Sequence, residues 1–282
     1  MEIAVLLATF NRKQKTLICL ENLFAQKSLH GVNINVFLTD DNSSDGTAQA
    51  IAYAYPQVNL LKGSGALFWA GGMRNSWAKA LESNPDFYLL LNDDTVINDD
   101  CISNLLKYHR VERRSKEAIV IGSTIDLLKQ VISYGGHKLR DPKKVSYDNI
   151  FSETEYCQCD LANANIMLVP RQIVEKIGIL SDKFTHSIAD FDYTLRAKKS
   201  GFDVVVVPGI QGLCTDDNLN EQGKIKRNFR QRIRFLKSPK GLAYTEYMGF
   251  INTHFPSHKT AVLFKLWFRT IFPEFWQKLK KV

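Results

Sequence analysis

The stretch that most narrows the possible folds is Phe87-Tyr-Leu-Leu-Leu-Asn-Asp-Asp-Thr95, in which five large apolar residues stop abruptly at two carboxylates. An apolar run without alternation reads as a strand covered on both faces, the situation of a sheet clothed by helices. Its end then sets Asn92, Asp93 and Asp94 at the carboxyl edge, where open α/β sheets bind ligands. Adjacent carboxylates repel unless positive charge stands with them, and a divalent ion with oxygen ligands is one ordinary solution; such an ion would hold a diphosphate. The other reading is local: Asp and Asn cap helices, and a helix is predicted to start near Asp99.

The rest of the first 125 residues repeats the theme. Ile3–Ala8 is a continuous apolar strand, Thr9-Phe-Asn-Arg12 a turn, and Leu17, Leu20, Leu23 and Phe24 sit at helical spacing. Asn33–Thr39 is a second strand that ends in Asp40-Asp-Asn-Ser-Ser-Asp-Gly-Thr47, dense in turn and cap residues. Val58–Leu61 is a third, and Gly63-Ser-Gly-Ala-Leu-Phe-Trp-Ala-Gly-Gly72 leads into a helix over Met73–Glu82. A helix over Asp99–Arg114 and a strand over Ala118–Ile125 complete an alternation that calls for a mostly parallel sheet flanked by helices.

Beyond Ile125 the pattern loosens into short β-like pieces punctuated by Tyr134-Gly-Gly136 and Asp141-Pro142. A longer strand is expected over Asp160–Val169 and a short helix over Arg171–Ile177, with this middle region across the mouth of the sheet. Asp190-Phe-Asp-Tyr-Thr-Leu-Arg-Ala-Lys-Lys-Ser-Gly201 has acids in its first turn, bases in its last and glycine beyond, so it reads as a helix; the strand Phe202–Val207 follows.

Positive charge accumulates late. Of the net +8, a run of eight Lys or Arg without an acid falls in Lys224–Lys240. Phe264, Phe268, Ile271, Phe275 and Leu279 then recur at steps of three and four, with Trp267 and Trp276 alongside and Lys265, Arg269, Lys278, Lys280 and Lys281 nearby. These are basic amphipathic helices, broken in two by Pro273. Such a face either enters the headgroup region of an anionic membrane or packs on the domain or a second subunit as a homodimer contact. No window reaches the roughly 18 apolar residues of a spanning helix, so membrane contact is expected to be peripheral. Met1–Ala8 lacks a basic leader and reads as a first strand rather than a signal peptide. The five cysteines are read as reduced thiols, since Cys157-Gln-Cys159 has no second pair with zinc spacing. An acid-edged sheet has the wrong sign for a phosphate polymer, so no nucleic-acid partner is expected.

Ala8-Thr-Phe-Asn-Arg12, Asp40-Asp-Asn-Ser-Ser-Asp-Gly-Thr47, Asn92-Asp-Asp94 and Asp190-Phe-Asp-Tyr-Thr-Leu-Arg196 together resemble the four motifs of family 2 glycosyltransferases of the GT-A fold. The fold implied is a Rossmann-like, mostly parallel sheet flanked by helices. The resemblance implies a catalytic, nucleotide-sugar-binding domain over 1–220 and a helical region over 221–282. The Asp190 motif and the Gly63–Gly72 loop are most similar to bacterial rhamnosyl- and galactofuranosyl-transferases of polysaccharide assembly. Carried over, Thr9, Phe10, Asn11 and Arg12 line the nucleotide pocket, Asp41 accepts a hydrogen bond from the base, and Asp93 holds ribose or donor sugar. Asp94 is the ligand of Mn2+ or Mg2+. Arg74, early in a glycine-led helix, would meet phosphate or ribose, or else is a solvated helix residue.

Asp190 is the implied general base of an inverting transfer and Asp192 its alternative; by local chemistry either is an acid favoured at a helix start. Three positions depart from the family. Asn92 stands where an acid is common, Ala189 where the base is usually preceded by Glu, and Gly212-Leu-Cys-Thr-Asp216 lacks the histidine that often joins the metal. Cys214 either replaces that histidine or is a buried structural thiol. His186 is either a substrate contact or an ordinary histidine. The resemblance implies a UDP- or dTDP-sugar donor and a saccharide acceptor in O-antigen, capsule or cell-wall synthesis; the aromatic and basic tail suits an acceptor that is lipid-linked, on the cytoplasmic face of the inner membrane. The rival is a nucleotide-sugar-binding or scaffold protein without catalysis.

Overall fold

The computed structural model describes residues 1–111, 116–186, 188–215, 227–239 and 241–279. The amino-terminal half alternates as expected through β1 (Glu2–Thr9), α1 (Lys13–Phe24), β2 (Asn33–Asp40), α2 (Thr47–Ala54), β3 (Asn59–Lys62), α3 (Phe68–Ala80) and β4 (Phe87–Leu91). A two-residue β5 (Val96–Ile97), α4 (Cys101–Val111) and β6 (Ala118–Asp126) follow. The middle supplies β7 (Val131–Tyr134), β8 (Gly136–Leu139), β9 (Tyr147–Ile150), β10 (Cys157–Gln158), β11 (Leu161–Ala162) and β12 (Ile166–Pro170). Then come α5 (Arg171–Ile177), α6 (Ala189–Lys199) and β13 (Asp203–Leu213).

The large sheet runs β10-β13-β6-β12-β4-β1-β2-β3, with β5 on β13 and β7 on β6. β1 is central and parallel to both β2 and β4, so Leu6 pairs with Leu90 and Thr9 with Asp40. The apolar runs therefore fill the core: Ile3, Val5, Leu7, Val36, Leu38, Leu89 and Leu91 are all essentially inaccessible. β6 is not the direct neighbour of β4. The antiparallel β12 lies between them, pairing Ile166 with Leu91 and Met167 with Ile121.

Two sequence expectations are corrected. The strand expected over Asp160–Val169 is two strands, because Asn163 turns its backbone amide to the Gly135 carbonyl (2.9 Å); β11 joins β8 in a second, three-stranded sheet while β12 enters the large one. The helix expected from Met73 begins at Phe68. Gly72 explains how α3 lies so close to β1: a Cβ there would stand 2.7 Å from that of Ala8, and Ser76 Oγ donates to the Leu7 carbonyl at 2.8 Å. Trp77 of α3 meets Tyr88 of β4 and Tyr193 of α6, with centroids 5.7 and 5.2 Å apart, which fixes α6 over the same face.

The chain divides into two compact units, Met1–Lys138 with Asp148–Asp216 and Leu139–Tyr147 with Asp217–Val282. The second holds α7 (Phe229–Lys237), α8 (Tyr244–His254), α9 (Lys259–Ile271) and α10 (Pro273–Leu279). Asn228 and Gln231 close a reciprocal capping box on α7, each accepting the other's backbone N–H at 2.9 Å. Leu236, Ala243, Phe250, Ile251, Phe255, Val262 and Leu266 are the buried apolar residues of this unit among those described. The break before Pro273 is present, with Phe272 outside helical geometry (φ −117°, ψ 60°). Lys224, Lys226, Lys240, Lys280, Lys281, Asp216 and the expected boundary at 220/221 lie outside the described residues.

Candidate active site

Parallel pairing of β1 with β2 and β4 sends all three strand ends to one edge, and the loops there are knitted together. Asp41 N–H donates to the Thr9 carbonyl (2.9 Å), Asn11 N–H to Ser43 Oγ (2.8 Å), Ser44 N–H to Asn11 Oδ1 (2.7 Å) and Lys13 N–H to Asp45 Oδ2 (3.1 Å). Ser43 in turn donates its hydroxyl to Asp40. Asn11 takes a left-handed conformation (φ 52°) that its side-chain bond to Ser44 supports. Thr9 is buried, and Phe10 is exposed over nearly half its surface.

Asp93 and Asp94 converge on Arg12, whose guanidinium stands 3.1 Å from Asp93 Oδ1 and 2.7 Å from Asp94 Oδ2. Lys15 Nζ is 3.7 Å from the same Asp94 oxygen, so two cations of α1 and its preceding turn answer the repulsion between the acids. Asp93 is buried, and that loss of water outweighs Arg12, pushing its carboxyl up to about 6. Asn92 faces elsewhere: its Oδ1 accepts the Trp69 indole N–H at 2.8 Å. Cys214 is a buried thiol, pushed up to about 12 by burial and then by Asp94, and its Sγ lies 3.7 Å from Asp94 Oδ1. Beside Asp94 and Cys214 a hollow of about 150 Å³ is walled by Val96, Asp126, Leu128 and Thr215.

Asp41 turns to the glycine-bearing loop. Its Oδ1 accepts Gly65 N–H (2.7 Å) and its Oδ2 accepts Leu67 and Phe68 N–H (2.9 and 3.2 Å), so it caps α3 from a distance. Only glycine fits at 63, where a Cβ would stand 2.5 Å from Asp41 Oδ1 and 2.8 Å from its Cα. This remote cap is why α3 starts five residues early. Arg74 Nη1 donates to the carbonyls of Ser181 and Phe184 (2.8 and 2.7 Å), steadying the loop that precedes α6. His186 lies in that loop with its ring 6.5 Å from Phe68.

The two acids that open α6 have separate surroundings. Asp192 is buried and accepts Arg196 Nε at 2.8 Å, while Arg196 also donates to the Ile177 and Ile179 carbonyls (2.6 and 2.9 Å). Asp190 accepts two backbone donors, Phe191 N–H on Oδ1 (2.9 Å) and Ala164 N–H on Oδ2 (3.2 Å). Burial pushes its carboxyl upward, more than these amides and nearby His137 pull it down.

Asp190 does not line the hollow at Asp94, yet the entry to β12 joins the two. Ala164 donates to Asp190, the next residue's Nδ2 lies 3.5 Å from Cys214 Sγ, and Asn165 accepts Asn92 N–H at 3.1 Å. Sequence reasoning missed Lys15, Trp69, His137 and Asn165. His137 is held between Asn149 and Asn163 (2.9 Å to each) with its ring 5.3 Å from Phe191. Trp69 stood within a motif already singled out; the other three carry no local signal.

Among the described residues no three His, Cys, Asp or Glu side chains gather into a metal cage. Asp94 nevertheless borders the hollow, with Oδ1 3.7 Å from Cys214 Sγ and its second oxygen answered by Arg12 and Lys15. That fits Mg2+ or Mn2+ taken up with a diphosphate, the ligand supplying most of the oxygens, and does not fit a site made by protein alone.

Known proteins bear on the same residues. The family described as Glycosyl transferase family 2 matches residues 4–154. No curated protein matches the chain in sequence. Among solved structures, the chain is similar to the mannosyltransferase PcManGT of Pyrobaculum calidifontis in complex with GDP-Man and Mn2+, at 14% identity and TM-score 0.55, covering 82% of this chain and 60% of that one. It is also similar to S. aureus TarS 1–349, at 16% identity and TM-score 0.54 over 92% of this chain and 73% of that one. TarS 1–349 in complex with UDP-GlcNAc gives 14% identity and TM-score 0.56 over 91% and 73%. At such identities the likeness speaks to the fold, a GT-A arrangement.

Proposed function

Since this chain belongs to glycosyl transferase family 2, we propose that it transfers a hexosyl unit from a nucleotide-diphosphate sugar to a saccharide acceptor with inversion at the anomeric carbon. The observation that carries the reading is Asp190: a carboxylate of raised proton affinity, held by two backbone amides and tied through Ala164–Asn165 to the edge where Asp94 lies. Asp192, fully engaged with Arg196, is the weaker candidate for the base.

Asp190 takes the proton from the acceptor hydroxyl as that oxygen bonds the anomeric carbon, and the carbon's bond to the diphosphate oxygen breaks on the opposite face. The departing diphosphate gathers negative charge. Arg12 and Lys15 are placed to answer it once they turn from Asp94, and Thr9, Phe10, Asn11 and Asp93 are proposed to line the nucleotide and ribose. Asp94 would hold Mn2+ or Mg2+, which would supply Lewis-acid neutralisation of the diphosphate. Asp41 and Arg74 are proposed to act at the nucleotide through the loops they hold. The structural neighbours with GDP-Man and UDP-GlcNAc support a nucleotide-sugar donor, for which we propose a UDP- or dTDP-sugar. A lipid-linked acceptor of surface-polysaccharide assembly, in the manner of bacterial rhamnosyl- and galactofuranosyl-transferases, completes the proposal.

The test is a panel of nucleotide sugars scored by protection against melting, with Mn2+, with Mg2+ and with chelator, followed by transfer assays on Asp94→Asn and Asp190→Asn. Metal-dependent protection by one donor, with Asp190→Asn still bound but transferring about 10²- to 10⁴-fold more slowly, is the expected result. A donor that binds while neither the parent nor the variants transfer its sugar would leave a binding or scaffold protein instead.

A further inference from the structure

Helix α9 has two apolar faces where burial requires one. Val262, Leu266 and Thr270 point inward and are covered. On the outer side Phe264 is 72% exposed, Ile271 42%, Phe272 54% and Phe275 57%. Phe268 binds this stripe together, with its ring 5.8 Å from Phe264, 5.5 Å from Phe272, 5.9 Å from Phe275 and 6.2 Å from Trp276. Contiguous aromatic surface of this kind marks a contact rather than a solvated face.

Charge says what the contact is. From Arg227 to the end the sequence has twelve Lys or Arg against two Glu, a surplus of +10, whereas the whole chain carries +8. All the positive excess therefore lies in this segment. Lys265 and Arg269 are exposed on α9 itself, with Lys265 Nζ 5.6 Å from the Trp276 ring. A second copy of so basic a surface would repel the first, while an anionic one would be drawn to it. The 13 residues of α9 and seven of α10, separated by Pro273, are too short to cross a bilayer, and no described helix is long and apolar enough to do so. Aromatic rings beside basic side chains on a short helix are the composition of a segment lying in the headgroup region.

We propose that the outer face of α9 and α10 is a docking surface for an anionic phospholipid bilayer, with Phe264, Phe272 and Phe275 entering the headgroup boundary and Lys265 and Arg269 facing lipid phosphates. It deepens the transfer reading by naming where a lipid-linked acceptor would be met, and it rests on that reading only there. Vesicle binding needs no donor, so its failure and the failure of transfer are separable.

The experiment is flotation of the full chain with phosphatidylcholine vesicles, with and without 30% phosphatidylglycerol, at low and high salt. The protein is expected to float with the anionic vesicles and to be released by salt. Phe264→Ser/Phe272→Ser/Phe275→Ser should lose partitioning at least tenfold, and Lys265→Glu/Arg269→Glu roughly fivefold or more per residue. Both variants should keep the parent's melting temperature and donor protection, because the changed side chains are exposed. Failure of the parent to float would overturn the proposal. So would equal flotation of parent and variants, or a dimer of the parent that the triple variant abolishes.

Discussion

Replacing Asp41 by Asn tests how much of this active site is built at a distance. The carboxylate is 5% exposed and receives three backbone donors from residues 65, 67 and 68. A hydrogen bond to an ionised acceptor contributes about 1.5–3 kcal/mol and a neutral one about 1 kcal/mol. Asn keeps one oxygen for the Leu67 and Phe68 amides at the neutral strength, but sets an N–H against the N–H of Gly65. Weakening two bonds and orphaning a third donor sums to about 3 kcal/mol, within a factor of two. For a domain of this size that is a fall in melting temperature of roughly 6–12 °C. Hydrogen exchange followed by mass spectrometry should accelerate in the 63–70 peptide before the rest of the sheet. If Asp41→Asn melts within about 1 °C of the parent with unchanged exchange there, and loses only donor binding, the side chain contacts the base and the remote-cap argument is wrong.

Three further outcomes are expected. As the proposed base Asp190 must be ionised, and burial raises its proton affinity; kcat at saturating donor should therefore fall as pH drops through a value above the ordinary carboxylate range, a limb that Asp190→Asn removes. Asp192→Asn should lower stability by about 2–4 kcal/mol in denaturant titrations, since it strips the buried partner from Arg196 and leaves that guanidinium on two carbonyls. In native protein at pH 8, iodoacetamide should label Cys157 well before the other four cysteines, as read by peptide mass spectrometry, because those four are buried and burial raises the proton affinity of each thiol.

The elements of the first half were legible because each announces itself locally: an apolar run, then residues that favour turns or caps. Phe87–Leu91 and its two aspartates needed nothing from elsewhere in the chain. What could not be read depends on partners far along it. The early start of α3 requires Asp41, some 26 residues upstream, and the antiparallel entry of β12 between β4 and β6 follows from a turn at Asn163 that leaves no periodic trace. Likewise Asp190 and Asp192 are two residues apart on a helix and equivalent in sequence. Only Arg196 and the Ala164 amide distinguish them, one claiming Asp192 and the other Asp190.

The direction of β12 has an effect on how this protein can change. Because it runs against β4, its first residues, rather than its last, reach the acidic rim, and the chain between β6 and β12 is an excursion in which β8, β9 and β11 form the second sheet while β7 lies on β6 and β10 on β13. Its β8 and β11 are tied to α6, with His137 against the Phe191 ring and Asp160 against Lys198, so its exposed turns, Leu127–Leu128 beside the hollow and Glu153–Tyr156, are where side chains can change while Asp190 keeps its place. Under the proposed transfer, selectivity for one sugar over another can drift at those turns while Asp94 and Asp190 stay fixed.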